Sequence, residues 1–270
     1  MLDTSTDTRM QRSRGAAMVR LGPRGLVDLA QSGSAKAMLP RMTAGRPEIV
    51  FLNTAGGLAS GDRLDYRIEL TAGAQALATT QTAERAYRAE GGPARVALHL
   101  QVGKGGWLDW LPQETILFNG AALRRDTVVE LATGAGCLLL EPIVLGRVAM
   151  GEDIRRLHLI DRRIVRQAGR VIHHDALALD DAALARLSHP SMLGNARAMA
   201  TLALIAPHAP DLLEPARAAL DEPGVTGAAS APPGRLILRL LAGDGWPLRR
   251  QINRLLRVLR PDPLPRIWQV

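Results

Sequence analysis

From about Gly15 to Pro207 the chain alternates apolar and polar residues with a period of two. Leu64, Tyr66, Ile68 and Leu70 interleave with Asp65, Arg67 and Glu69, and Val96, Leu98, Leu100 and Val102 repeat the arrangement. Successive side chains of an extended segment point to opposite faces, so each run predicts a strand with one buried and one wet side. A helical reading fails because charged residues interrupt every stripe of helical period. Turn-forming clusters at Thr71-Ala-Gly-Ala, Glu90-Gly-Gly-Pro, Gly103-Lys-Gly-Gly, Thr133-Gly-Ala-Gly and Gln167-Ala-Gly separate the runs. Short strands at regular intervals predict an all-β sandwich or a stacked sheet. Arg163 to Leu179 reads as a hairpin turning at Ala168-Gly169. No internal sequence repeat is found, although regular strand spacing is compatible with stacking.

The period changes near the C-terminus. Asp211 to Leu220 predicts a short helix N-capped by Asp211, with Pro215 tolerated near the first turn. Leu248, Ile252, Leu255, Leu256 and Leu259 recur at helical spacing, Pro247 suits a first turn, and Pro261 ends the segment. Arg249, Arg250, Arg254, Arg257 and Arg260 occupy the other faces of this helix, which makes it a candidate partner surface. Between the helices lie an expected loop, Glu222 to Gly234, and a strand, Leu236 to Leu241. The expectation is a mainly β fold: a single domain, residues 15–270, of many short stacked or sandwiched strands with two α-helices near the C-terminus. Residues 1–14, polar and aperiodic, are expected to form a disordered leader.

Composition narrows the function. Hydrophobic residues make up 47% of the 270 positions but aromatics only 3%, so the core is filled by Leu, Val, Ile and Ala. Platforms for stacking nucleic-acid bases are correspondingly scarce. The formal charge of +8 is carried almost wholly by arginine, since Lys36 and Lys104 are the only lysines. The arginines are spread along the chain rather than gathered in a run, which points to a protein partner or a solvated surface. Cys137 is alone, which excludes an intrachain disulfide and a multi-cysteine zinc site. No apolar run approaches the length of a membrane span and no signal-peptide pattern opens the chain, so a cytoplasmic location is expected.

Several motifs invite chemical readings. Gly56-Gly-Leu-Ala-Ser-Gly-Asp62-Arg63 has the glycine spacing of a phosphate-binding loop, but Asp62 stands where that loop needs lysine, and a carboxylate repels phosphate. The alternative is a tight turn fastened by Asn53 or Asp62. Cys137 precedes three leucines in an apolar strand, where a thiolate is disfavoured. Asp109 and Glu114 can be drawn as a glycosidase-style pair, although a strand leading into a turn at Pro112 explains them as well. Glu141 lies in the otherwise apolar run Cys137 to Leu145, so it must be paired, protonated or line a wet cavity, with Arg147 the expected counter-charge. Asp175 gives a weaker version of the same signal. His173 and His174 are adjacent, so on a strand they face opposite ways and cannot chelate one ion.

Four ordered blocks add a further layer: Asn53-Thr-Ala-Gly-Gly-Leu-Ala-Ser-Gly-Asp62, Thr79-Thr-Gln-Thr-Ala-Glu-Arg-Ala-Tyr87, Trp110-Leu-Pro-Gln-Glu-Thr-Ile-Leu-Phe118 and Leu145-Gly-Arg-Val-Ala-Met-Gly-Glu152. With the ending Pro265-Arg-Ile-Trp268, they resemble the urease accessory protein UreD family from about Gly15 onward. The resemblance implies a non-catalytic scaffold that binds UreF and, through it, the GTPase UreG. The assembly, expected to be dimeric, would dock on apo-urease and help deliver nickel, with no nucleic acid or membrane involved. It also implies an internal tunnel, for which Asp62, Glu84, Glu141 and Asp175 are the candidate residues, with nickel in transit and no cofactor held stably. Oxygen ligands suit such passage because they release a divalent ion readily.

Overall fold

The computed structural model describes residues 12–41, 45–147 and 150–269. Strands dominate: β1 (Arg14–Gly22), β2 (Gly25–Gly33), β3 (Ala35–Met38), β4 (Glu48–Asn53), β5 (Arg63–Leu70), β6 (Gln75–Thr80), β7 (Glu84–Ala86), β8 (Ala94–Val102) and β9 (Trp107–Trp110) fill the first part. They are followed by β10 (Thr115–Leu117), β11 (Ala121–Leu131), β12 (Gly136–Leu145), β13 (Leu157–Gln167), β14 (Arg170–Leu179), β15 (Ala198–Ile205), β16 (Val225–Ser230) and β17 (Arg235–Ala242). Among the described residues three α-helices complete the order: α1 (Asp181–Leu184), α2 (Leu213–Ala218) and α3 (Gly245–Leu259).

The strands form two facing sheets, one ordered β14-β13-β11-β8-β5-β1-β2 and the other β16-β17-β15-β12-β9-β6-β4-β3, with β10 beside β12 and β7 beside β10. The series β1-β5-β8-β11-β13 of the first sheet and β4-β6-β9-β12 of the second are parallel, whereas β15 joins β12 and β17 antiparallel. Parallel strands cannot be joined by a tight turn and need a crossover. Here each crossover is itself a strand of the opposite sheet, because β5, β8, β11 and β13 alternate along the chain with β6, β9 and β12. The chain therefore winds as a flattened coil, which reconciles the sandwiched and the stacked expectations.

A second layer of packing explains β12, which is buried along its whole length. Cys137, Leu139, Ile143 and Leu145 pack into the core between the sheets, whereas Leu138, Leu140 and Val144 pack against the helical layer. By the alternation of side chains, Glu141 points into the space between the sheets. Helix α3 starts at Asp244, whose carboxylate accepts from the Trp246 backbone amide. It buries Leu248, Ile252, Leu255, Leu256 and Leu259 against the outer face of the second sheet. Each such side chain contributes about 1.5–3 kcal/mol on removal from water. The apolar stripe of α3 is thus consumed by the chain's own core.

Local readings are corrected at three points. The expected loop Glu222 to Gly234 contains the edge strand β16, paired antiparallel with β17. Asp211 does not cap α2: it sits in a short 3-10 turn, Ala209–Leu212, that leads into the helix. The small helix α1 was not anticipated. The leader expected over residues 1–14 falls largely outside the described residues, and Arg14 is already the first residue of β1. The β13–β14 hairpin turns where expected, with Ala168 and Gly169 both at positive φ (48° and 75°), the conformation of a primed two-residue turn.

A buried chain of charges between the sheets

Three neighbouring strands of the first sheet place charged residues at positions whose parity faces inward. On β11 the buried positions run Leu123, Arg125, Thr127, Val129, and on β13 they run Leu159, Asp161, Arg163, Val165. Register then aligns them, since Arg125 is the cross-strand partner of Asp161, and Arg163 of Asp175 on β14. Arg125 donates from Nε and Nη2 to the two Asp161 oxygens at 3.1 and 2.8 Å. Its Nη1 donates to the Thr115 hydroxyl at 2.9 Å and lies 2.6 Å from Glu141 Oε1. That last contact is the ion pair that joins the first sheet to β12 of the second.

The chain of opposite charges continues outward. Arg163 Nη2 lies 3.7 Å from Asp161 and 3.2 Å from Asp175. Asp175 also accepts from Arg239 of β17 at 3.0 Å, and Arg239 is largely exposed. In the other direction Glu84 opens β7, 3.4 Å from the Asn53 side-chain amide. Two small cavities adjoin it, each of about 40 Å³. The inner one is lined by Glu84, Glu141, Arg125, Thr80, Thr115 and Tyr66 among others. The outer one is lined by Asn53, Gly56, Tyr66, Thr80, Gln81 and Glu84. Glu84, Thr80 and Tyr66 are common to both, and each volume is enough for one or more waters.

The electrostatics divide the carboxylates. Burial raises Glu84 from the ordinary 4.5 to about 7, although Asn53 and the Arg85 backbone pull it down. Burial likewise raises Glu141 to about 7; Arg125 opposes the rise and ionised Asp161 adds to it. Burial would raise Asp161 too, but the two-pronged Arg125 contact and Arg163 hold it below the usual range. One guanidinium thus serves two carboxyl groups, Asp161 takes the charge, and Glu141 is left near its titration point at neutral pH. Burial also lowers His173.

The sequence candidates therefore separate. Glu84 and Glu141 share a cavity, and Asp175 ends the same chain of charges. Asp62 lines neither cavity: its two oxygens accept from the Ser13 and Ala59 backbone amides, both at 2.7 Å, so it fastens the glycine turn. Arg147 is not the counter-charge of Glu141. It pairs with Glu152 at 2.9 Å on the surface, and Arg125 takes the role because its strand faces β12 across the core. Arg125, Asp161 and Arg163 were not singled out from sequence, though the period-two parity of β11 and β13 already placed them on the inward face.

Other chemical readings dissolve. Asp109 is held by Arg260, Arg46 and the Trp107 indole at 2.8, 3.1 and 2.7 Å, while Glu114 pairs with Arg249. Arg250 and Arg254 of α3 clasp buried Glu222. Much of the arginine face of α3 is thereby committed within the chain. Cys137 is buried and burial pushes its thiol well up. His173 is buried and His174 exposed, on opposite faces of β14. Among the described residues no group of three or more His, Cys, Asp or Glu side chains is placed to hold a metal ion, and no helix is long and apolar enough to cross a membrane.

What remains is a two-sheet coil flanked by helices and threaded by buried charges. The family described as UreD urease accessory protein matches residues 13–269, and the chain belongs to that family. It is similar to the urease accessory protein UreD of Paracoccus denitrificans (strain Pd 1222), with 83% identity over 270 residues covering 100% of this chain and 97% of the relative. Similarity extends to UreD of Cereibacter sphaeroides (strain ATCC 17025 / ATH 2.4.3), 58% identical and covering 96% of each chain. UreD of Jannaschia sp. (strain CCS1) is 49% identical over 272 residues, covering 100% of both. Membership assigns the chain a role in urease maturation.

Proposed function

We propose that this chain is a nickel-delivery component of urease maturation, in which the ion moves between the two sheets past Glu84 and Glu141. One observation carries the reading: Glu84 borders two adjoining cavities, and the inner one also holds Glu141 and Arg125. Carboxyl groups that titrate near neutrality exchange a proton for a divalent cation at small net cost. The fixed positive charge of Arg125 beside them opposes stable capture, and weak oxygen ligation favours release. Asp161, Arg163 and Asp175 continue the polar seam toward Arg239. Asp62 acts at one remove, by holding the turn that follows Gly56.

In this reading the chain is not an enzyme and holds no cofactor stably. It binds UreF, and through it the GTPase UreG, in a dimeric cytoplasmic assembly that docks on apo-urease. The test is the nickel content of urease purified from cells carrying the urease operon with Glu141→Leu, Glu141→Gln or Glu84→Gln in this chain. Folded variants that still co-purify with UreF should yield urease with a few-fold less nickel per active site. Full nickel in all three would remove these carboxylates from the path.

A further inference from the structure

We propose that a row of four arginines on the outer face of the seven-stranded sheet docks an acidic peptide segment of a partner protein. Arg14, Arg63, Arg95 and Arg124 come from four different strands, β1, β5, β8 and β11. Register makes each the direct neighbour of the next: Arg14 pairs with Arg63, Arg63 with Arg95, and Arg95 with Arg124. All four point outward; the first three are exposed and Arg124 is half-buried. Four strands at a spacing of about 4.8 Å span about 14 Å, the reach of four or five extended residues.

Like charges set directly opposite on a sheet repel, so such a row is destabilising unless an anion offsets it. Elsewhere on this face the arginines meet carboxylates: Arg20 with Glu69, Arg67 with Asp65, Arg162 with Asp126, and Arg166 with Glu130. Within the row Arg124 has Asp126 at 2.9 Å. Among the described residues no carboxylate lies within salt-bridge distance of Arg14, Arg63 or Arg95. A surface groove of about 460 Å³ runs along the row, with Ala16, Ala97 and Ser32 among its lining residues and Asp65 and Asp126 at its side.

The lining selects among polyanions. An acidic peptide brings carboxylates for the guanidinium forks and backbone N–H donors for Asp65 and Asp126. A phosphodiester backbone brings acceptors only and offers these aspartates no donor, and no aromatic side chain lines the groove to stack a base. The small alanines leave room for a backbone to approach the sheet. This surface is separate from the seam between the sheets and does not depend on the nickel reading.

Fluorescence anisotropy of a labelled oligoglutamate peptide titrated with the full-length chain tests the proposal. Binding should weaken with added salt, and by about tenfold in the Arg63→Gln/Arg95→Gln pair, the loss of two exposed charge-assisted contacts. The single variants carry the same test at smaller amplitude should the pair not fold. Arg155→Gln/Arg217→Gln removes the same charge elsewhere and should leave the affinity unchanged. Equal losses in both pairs would reduce the effect to net charge and overturn the site. So would tighter binding of an oligothymidylate with the same sensitivity, which would assign the row to nucleic acid, or self-association lost in the row variant, which would assign it to a second copy of the chain.

Discussion

Arg125 of β11 and Asp161 of β13 are direct cross-strand partners, and two hydrogen bonds of 3.1 and 2.8 Å join the guanidinium to the carboxylate in the middle of the core. Glu141 approaches the same guanidinium from the opposite sheet at 2.6 Å. The three residues therefore hold the two sheets in one relative position. Removing the shared cation leaves Glu141 buried without its ion-pair partner and Asp161 with only the 3.7 Å contact to Arg163. Arg125→Met should cost about 3–5 kcal/mol, and adding Asp161→Leu and Glu141→Leu should restore much of it. Urea unfolding of the single and triple variants measures both. A single variant within about 1 kcal/mol of the parent would mean that water already carries these charges.

The raised carboxylates set a pH dependence with a definite sign. Glu84 ordinarily titrates near 4.5 and is raised to about 7 in the folded chain, so between these values the folded state holds the extra proton. Stability from this group is complete below about pH 4.5 and is lost as pH rises through about 7. Glu84→Gln should flatten this decline and stabilise the chain at pH 8 by at most about 3 kcal/mol. Urea midpoints at pH 5 and pH 8 decide the matter; an unchanged slope would show that Glu84 titrates normally.

The glycine turn separates two kinds of substitution. Gly57 has φ +152°, and a Cβ there would lie 2.3 Å from the Tyr87 ring and 2.8 Å from the Arg85 carbonyl oxygen. Gly56 has φ +75° with open space around it. Gly57→Ala should therefore cost about 2–3 kcal/mol and Gly56→Ala about 1 kcal/mol. Because Tyr87 donates to the Gly56 carbonyl and Asn53 to that of Gly57, Gly57→Ala should also disturb the wall of the outer cavity. Comparable thermal midpoints for the two variants would contradict the close approach.

Cys137 offers a direct check on the packing of β12. It is buried in β12 between the sheets, and burial holds its thiol far above the usual range. A thiol reagent should label it only as fast as the chain unfolds, with the rate rising with urea. Rapid labelling of the native chain would require an exposed thiolate that this packing does not provide.

Much of the fold could be read from the chain because it depends on local periodicity. The alternation at Leu64 to Leu70 and Val96 to Val102 places those side chains inward whatever the partner strands are. The proline-bounded stripe of α3 and the positive-φ turn at Ala168-Gly169 follow from their own residues. Glu141 was visible as an anomaly because a carboxylate inside an apolar strand is conspicuous against its neighbours. β16 was hidden because Val225 to Ser230 is rich in small residues and gains its strand character from pairing with β17.

Partnership across the sheets was not legible. Arg125 and Glu141 lie on strands whose apposition is a property of the coil, so the nearer Arg147 looked the better counter-charge. The same holds for the outer surface: Arg14, Arg63, Arg95 and Arg124 are scattered along the chain, and only the parallel register brings them into one row. Sequence alone determined which face each side chain takes, since that follows from the two-residue repeat of the strand. Which charges meet was decided by the tertiary structure, because register and sheet packing depend on the sum of many distant contacts and no single segment encodes it.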